Sequence, residues 1–345
     1  MITKKELSMI LSKRSGKMVT VKEIEQVGSG YHSDGYRVVT SDGEKYFIKR
    51  ARAEDIGFEF PERKVMSLLV SHSMAKRAKM MPGSLGVIIK NESIDFVPEI
   101  SESSEIYHLQ EYGGEGKSYS SMLSERLKRK TMTGSDKEEI DKVLDFITVL
   151  HAKRHPSTDQ KKLNSVYNDA MRAIIGHPER LLEVLQTVPD DSPLLGPRQQ
   201  GEFITLMLEN MHHSKNRHDR VSALHGDFWG ANVFFRPDGS LFVIDYSRTP
   251  WGEPGHDVGI WMSQYLFYYY LSEKNKYFCQ LGNYFLDGYI KRTRDKEVMN
   301  TLVYTIGLVA AIYASPVFKG LDQKVRNELY GHVIKMLRKK KFFWE

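Results

Sequence analysis

Residues 224–249 read LHGDFWGANVFFRPDGSLFVIDYSRT, and this stretch decides the fold. Two short apolar runs, VFFR and LFVIDY, flank the turn residues Pro237, Asp238 and Gly239, the pattern of a hairpin. Asp227, Asn232 and Asp245 lie on and beside it, with His225 just ahead. Asn232 follows Asp227 by five positions, so one loop between short strands can present both side chains to one site. Two carboxylates and an amide are the oxygen ligands that magnesium takes when it neutralises the phosphates of a nucleotide. A carboxylate near an acceptor hydroxyl can also orient it and accept its proton as the oxygen attacks phosphorus.

The chain around this hairpin is helical. Ile140, Val143, Leu144, Ile147 and Leu150 recur at three- and four-residue intervals and predict a helix over about 137–152 with one buried face. Further helix is expected over 166–175, 180–186 and 201–211, and again from the hairpin to the end. The first hundred residues differ. VTVKEIEQVGSG, YRVVTSDG and EKYFIKRA read as strands, with Ser41, Asp42 and Gly43 turning between the second and third. A helix is predicted from about Pro61, where Val65, Met66, Leu68 and Leu69 recur with helical spacing, and LGVIIKN and EIYHLQEY are further strands. The expectation is an α+β chain in two parts: a small antiparallel-sheet lobe, residues 1–112, and beyond a glycine-containing hinge a larger, mostly helical lobe, residues 113–345.

Composition narrows the class. With 345 residues, 41% hydrophobic and 27% charged, the chain is long enough for two cores and too apolar to be mostly disordered. The single cysteine, Cys279, excludes an intrachain disulfide and a multi-cysteine metal site, and a reducing, cytoplasmic setting is expected. The opening MITKKELSMILSKRSGK lacks the apolar core of a secretory signal. The uncharged run 298–318 has the length of a membrane span, but Asn300, Thr301, Thr305, Ser315 and Pro316 interrupt it and predict a buried core helix. The formal charge of +6 is concentrated at the end: residues 319–345 hold eight basic and three acidic residues, and Arg338–Lys341 reads as a solvated helix end. Neither a nucleic acid nor a membrane is therefore expected as partner.

The order H-x-D-x-x-x-x-N followed by a strand ending in Ile-Asp resembles the catalytic loop and metal-binding aspartate of the protein-kinase-like superfamily. Its form here, HGDFWGAN and then IDY, is similar to the aminoglycoside phosphotransferase and choline kinase branch. Gly226 stands where protein kinases carry arginine, Tyr246 and Ser247 follow the second acid, and no A-P-E element comes after it. WGEPGHDVG resembles the G-x-P-x-x-D element of the small-molecule branch, with Asp257 as a structural tie of the loop. The resemblance implies a two-lobed, protein-kinase-like fold and an ATP-dependent phosphotransferase, GTP being an alternative donor, with magnesium as cofactor. The implied partners are the nucleotide and a small-molecule hydroxyl acceptor: an aminoglycoside, sugar, amino alcohol or related metabolite. In the roles carried over, Asp227 is the catalytic base, Asn232 and Asp245 are the magnesium ligands, and His225 supports the loop.

The sheet lobe should hold the nucleotide. Gly28, Gly30 and Gly35 in VGSGYHSDGYRV leave room for backbone amides to approach phosphates, although the spacing departs from G-x-G-x-x-G. Lys49 in YFIKR matches the lysine that holds the α and β phosphates in the superfamily, and an inward lysine in an apolar strand needs a partner. Glu62, on the helix face of Met66 and Leu69, is the expected partner, with Glu59 the alternative. HLQEYGG resembles the strand end at which kinases hold adenine, which implies backbone contacts from Glu111, Tyr112 and Gly113. His151 is expected to pack, the aromatic run Trp261–Tyr270 to form core, and Trp251 and Glu253 to contact the acceptor. A protein serine/threonine kinase and a catalytically silent nucleotide-binding module are the rival readings.

Overall fold

The computed structural model describes residues 1–29, 33–52, 61–75, 82–90, 104–176, 181–212, 214–246, 250–316, 318 and 321–345. Two compact units make up the chain. The first comprises residues 1–115 together with 242–248, and the second comprises 116–241 and 249–345. The division expected at 112/113 thus falls three residues later, and the segment carrying Asp245 groups with the sheet rather than with the helices.

The first unit is a five-stranded antiparallel sheet in the order β1-β2-β3-β5-β4, formed by β1 (Val21–Ser29), β2 (Ser33–Thr40), β3 (Lys45–Ala51), β4 (Ser84–Lys90) and β5 (Glu105–Glu111). Successive side chains along a strand point to opposite faces, and each face has its own core. On one face Ile48, Tyr107 and Leu109 pack with Val21, Val38 and Ile88 against Leu7 and Leu11 of α1 (Lys4–Ser15). On the other, Ile106 packs against Val65 and Leu68 of α2 (Pro61–Ala75). The helix α1 was not expected from its lysine-rich sequence. Thr3 and Glu6 form a capping box that starts it, and Gly16 at φ +71° ends it.

In the second unit, α3 (Tyr119–Glu125), α4 (Gly134–His151), α5 (Gln160–Gly176), α6 (Leu181–Gln186) and α7 (Pro197–His212) precede the hairpin, and α8 (Gly255–Leu271), α9 (Lys276–Thr293), α10 (Val298–Ala314) and α11 (Gln323–Lys339) follow it. Short strands fill the gaps: β6 (Lys117–Ser118) pairs with β8 (Val233–Phe235), and β7 (Ser222–Ala223) with β10 (Trp251–Gly252), while β9 (Leu241–Val243) leads to Asp245. Almost every residue of α8 is buried, so the aromatic run Trp261–Tyr270 is core. The apolar run after Val298 is the buried α10, and no described helix is long and apolar enough to cross a membrane. Arg338 to Lys341 are exposed at the end of α11, as a solvated helix end should be.

Candidate functional site

In the helical unit, a loop from His225 to Asn232 carries the first two candidate residues. Its shape is fixed from below by Asp257, which is fully buried at the start of α8 and accepts the amides of His225 at 2.7 Å and Gly226 at 2.8 Å. Burial alone would raise the Asp257 carboxyl. A hydrogen bond from His151 and the field of His151, His225 and His256 outweigh that and hold it below its usual range. His151 completes the support by pairing its other ring nitrogen with the Tyr289 hydroxyl at 2.8 Å. Gly226 takes φ +82°, a conformation that disfavours any side chain. Phe228, fully buried, stacks on Trp261 and Phe146 and pins the loop's centre.

Asp227 and Asn232 are both half-buried. The amide nitrogen of Asn232 donates to the Asp227 carbonyl at 3.0 Å and to its Oδ2 at 3.3 Å, so the loop takes up the nitrogen and leaves the oxygen as the end suited to a cation. The structure therefore brings these two together as the sequence suggested.

The sheet unit holds the rest. Lys49 Nζ lies 2.8 Å from Asp245 Oδ2, with the side chains 22% and 26% exposed. Asp245 sits at φ +65°, a left-handed conformation that a non-glycine residue adopts at a cost and that concentrates at functional positions. Cross-strand from Lys49 is His108, whose Nε2 meets Ser84 Oγ at 2.6 Å, and Ser84 Oγ in turn meets His72 Nδ1 at 2.8 Å. Burial first, and then the Lys49 charge, push His108 down to about 3, so the ring is neutral beside the lysine. Arg50 points to the opposite face and pairs with Glu105 at 2.7 Å.

Several expected residues fall elsewhere. Glu62 is exposed, on the helix face whose Met66 and Leu69 are 65% and 47% exposed; α2 turns Lys64, Val65, Leu68 and Ser71 inward instead. Among the described residues the carboxylate that reaches Lys49 is Asp245, not Glu62. Glu59 and Gly30 lie outside the described residues. Gly28 is exposed at the end of β1, where a side chain would meet open space. Gly35 has a packing reason, because a methyl there would lie 2.6 Å from the Phe47 ring. The Glu111 amide is committed to the Gly83 carbonyl at 2.7 Å, and its carboxylate accepts from Gly83 N, so of its backbone groups only the carbonyl suits a ligand. Tyr112 donates to Glu115 at 2.6 Å, and Gly113 is bare because the Phe242 ring and Pro82 crowd it.

Glu253, expected to contact the acceptor, is instead committed to partners within the helical unit. It is 2% exposed and holds Arg220 through two bonds of 2.5 and 2.7 Å, together with the Tyr167 hydroxyl and Thr301. Trp251 is half-buried with its ring edge-on to His155. Sequence reasoning missed Arg220, and it also missed Gln264, which lies seven residues past Asp257 on α8 and so on the same helical face.

One carboxylate and one amide oxygen suit a hard cation, and no cluster of three or more His, Cys, Asp or Glu among the described residues could cage a metal unaided. Oxygen donors of this kind are the ones magnesium takes alongside phosphate and water.

The sequence model of the phosphotransferase enzyme family matches residues 23–273. No curated protein matches the chain. Among solved structures, amicoumacin kinase hAmiN in complex with AMP-PNP, Ca2+ and Ami is similar at a TM-score of 0.58 and 11% identity, over 98% of this chain and 96% of that one. A thermostable mutant of aminoglycoside phosphotransferase APH(4)-Ia, in a ternary complex with ADP and hygromycin B, is similar at 0.51 and 13% identity, over 96% and 98%. These likenesses establish the fold as the kinase-like α+β arrangement.

Proposed function

Because the chain belongs to the phosphotransferase enzyme family, we propose that it moves the γ-phosphoryl group of ATP to a hydroxyl of a small molecule, with Asp227, Asn232, Asp245 and Lys49 as its working residues. The observation that carries this reading is the ion pair of Lys49 with Asp245. A lysine and an acid held together at a strained backbone position form a preorganised seat for phosphate oxygens and their counter-ion.

Lys49 neutralises phosphate charge, while Asn232 and Asp245 would hold magnesium, which would shield the phosphates and draw charge off the leaving group. Asp227 orients the acceptor hydroxyl and takes its proton as the acceptor oxygen bonds to the γ phosphorus. The bond from that phosphorus to the β–γ bridging oxygen breaks with its electron pair, releasing ADP. Most of the rate comes from positioning, which suits a loop pinned by Asp257 and Phe228. Acceptors of the aminoglycoside, sugar and amino alcohol classes are the first to try. GTP is the alternative donor.

The test is magnesium-dependent thermal stabilisation by ATP and by GTP, followed by ADP release with a panel of those acceptors. Stabilisation with release for one acceptor class supports the reading. Transfer only to protein would make the chain a protein kinase, and binding without any transfer a silent nucleotide-binding module. No stabilisation by either nucleotide overturns the proposal.

A further inference from the structure

One face of α8 is matched to the loop that carries Asp227 and Asn232. Asp257, Trp261 and Gln264 stand four and then three positions apart, so they line one stripe of the helix. Each meets the next part of the loop: Asp257 takes the amides of His225 and Gly226, Trp261 stacks on Phe228, and Gln264 faces Gly230. One turn further, Tyr268 donates to the Ser120 carbonyl at 2.8 Å, so α8 also fixes the residue that flanks Gln264.

Gln264 differs from its neighbours on the stripe in being chemically unsatisfied. It is 1% exposed, and among the described residues neither its Oε1 nor its Nε2 has a hydrogen-bond partner. A methyl added at Gly230 would lie 2.1 Å from Gln264 Oε1 and 2.8 Å from Ser120 Oγ, so the amide is seated directly against the bare backbone of Gly230. Burying an amide with both ends unpaired is unfavourable, and methionine would fill the same length without polar atoms. Packing alone therefore does not account for a glutamine here. Gly230 begins the turn Gly230–Asn232, so whatever engages its peptide groups acts on the Asp227 and Asn232 side chains that this turn joins.

We propose, resting on the phosphotransferase reading, that Gln264 is a positioning residue: its buried amide engages the peptide groups around Gly230 as the loop takes up the arrangement used in transfer, and so aligns Asp227 with Asn232. Gly230 is the matching half of the device, bare so that the amide can reach the backbone. Gln264 touches neither nucleotide nor acceptor and acts through the loop.

The test compares wild type with Gln264→Met, using MgATP alone as ligand and following both thermal stabilisation and the slow release of ADP with water as acceptor. The variant should melt at or above the wild-type temperature and bind MgATP within about twofold, while its saturated rate falls about ten- to a hundredfold, a loss in kcat and not in KM. A second pair keeps the outcome readable whatever the first variant does. Gly230→Ala should lose both stability and rate, and adding Gln264→Ala should restore the melting temperature without restoring the rate. A wild-type rate in Gln264→Met, a loss of stability in step with the loss of rate, or recovery of both in the double variant would overturn the inference alone. A wild-type protein that neither binds nor turns over MgATP would overturn the phosphotransferase reading itself.

Discussion

Lys49 holds the carboxylate of Asp245 at 2.8 Å, and the acid is presented from a left-handed backbone at φ +65°. Asparagine tolerates that conformation better than other residues, so Asp245→Asn removes the charge and leaves the backbone in place. The variant should fold normally and lose magnesium-dependent stabilisation by ATP. An unchanged magnesium-dependent shift would exclude Asp245 as a cation ligand.

Removing the other partner has a separate signature. Lys49→Met should weaken MgATP binding about tenfold or more, because a charge-assisted contact to phosphate is lost. Glu62→Gln, on the outward face of α2, should leave that affinity where it was. Titration of the two variants side by side distinguishes a lysine paired with Asp245 from one that depends on Glu62.

Asp227 is expected to act in the chemical step. Asp227→Asn should reduce turnover by about 10²- to 10⁴-fold while nucleotide binding persists. Near-normal turnover in steady-state assays would remove Asp227 from the role of base.

Glu253 and Arg220 make a stability prediction. Both are buried, and truncating one leaves the other charge unpaired, so Glu253→Ala should destabilise the protein by about 3–5 kcal/mol. The melting temperature is the measurement. A small change there, with a raised KM for the acceptor, would restore Glu253 to the acceptor site.

His108 gives a pH dependence. Its folded value near 3 lies below the unfolded value of about 6.5, so the unfolded chain binds the proton first as pH falls. The neutral ring's contribution is complete above about pH 6.5 and declines below it, by up to about 2 kcal/mol between pH 6.5 and 5. His108→Gln, which can still meet Ser84, should flatten the fall in melting temperature across that window. An unaltered slope would mean that another group carries it.

What the sequence made legible follows from how the constraint is written. The hairpin was readable because its chemistry fixes residue types within a span of about twenty residues, and Asp257 followed from the same motif. Glu62 was misread because helical spacing reveals stripes without saying which one faces inward: Met66 and Leu69 make as good a stripe as Val65 and Leu68, and only the packed sheet chooses. The buried cluster around Glu253 was not legible, because proximity in sequence pointed to the hairpin whereas Tyr167, Arg220 and Thr301 reach it from three distant elements. In α1 the capping box and the four-residue spacing of Leu7 and Leu11 were visible, but the surrounding lysines masked them.

That helix has a practical side for anyone cloning the gene. The Met1 amino group lies 2.9 Å from Glu105, the Ile2 amide donates to the Tyr107 hydroxyl at 2.7 Å, and Leu7 and Leu11 cover one face of the sheet. Met18 is an in-frame methionine downstream of all these anchors, and Met9 of all but Leu11. An open reading frame begun at either would encode a protein with the hairpin after Asn232 intact and an apolar sheet face laid bare, prone to be recovered as inclusion bodies and mistaken for an inactive product.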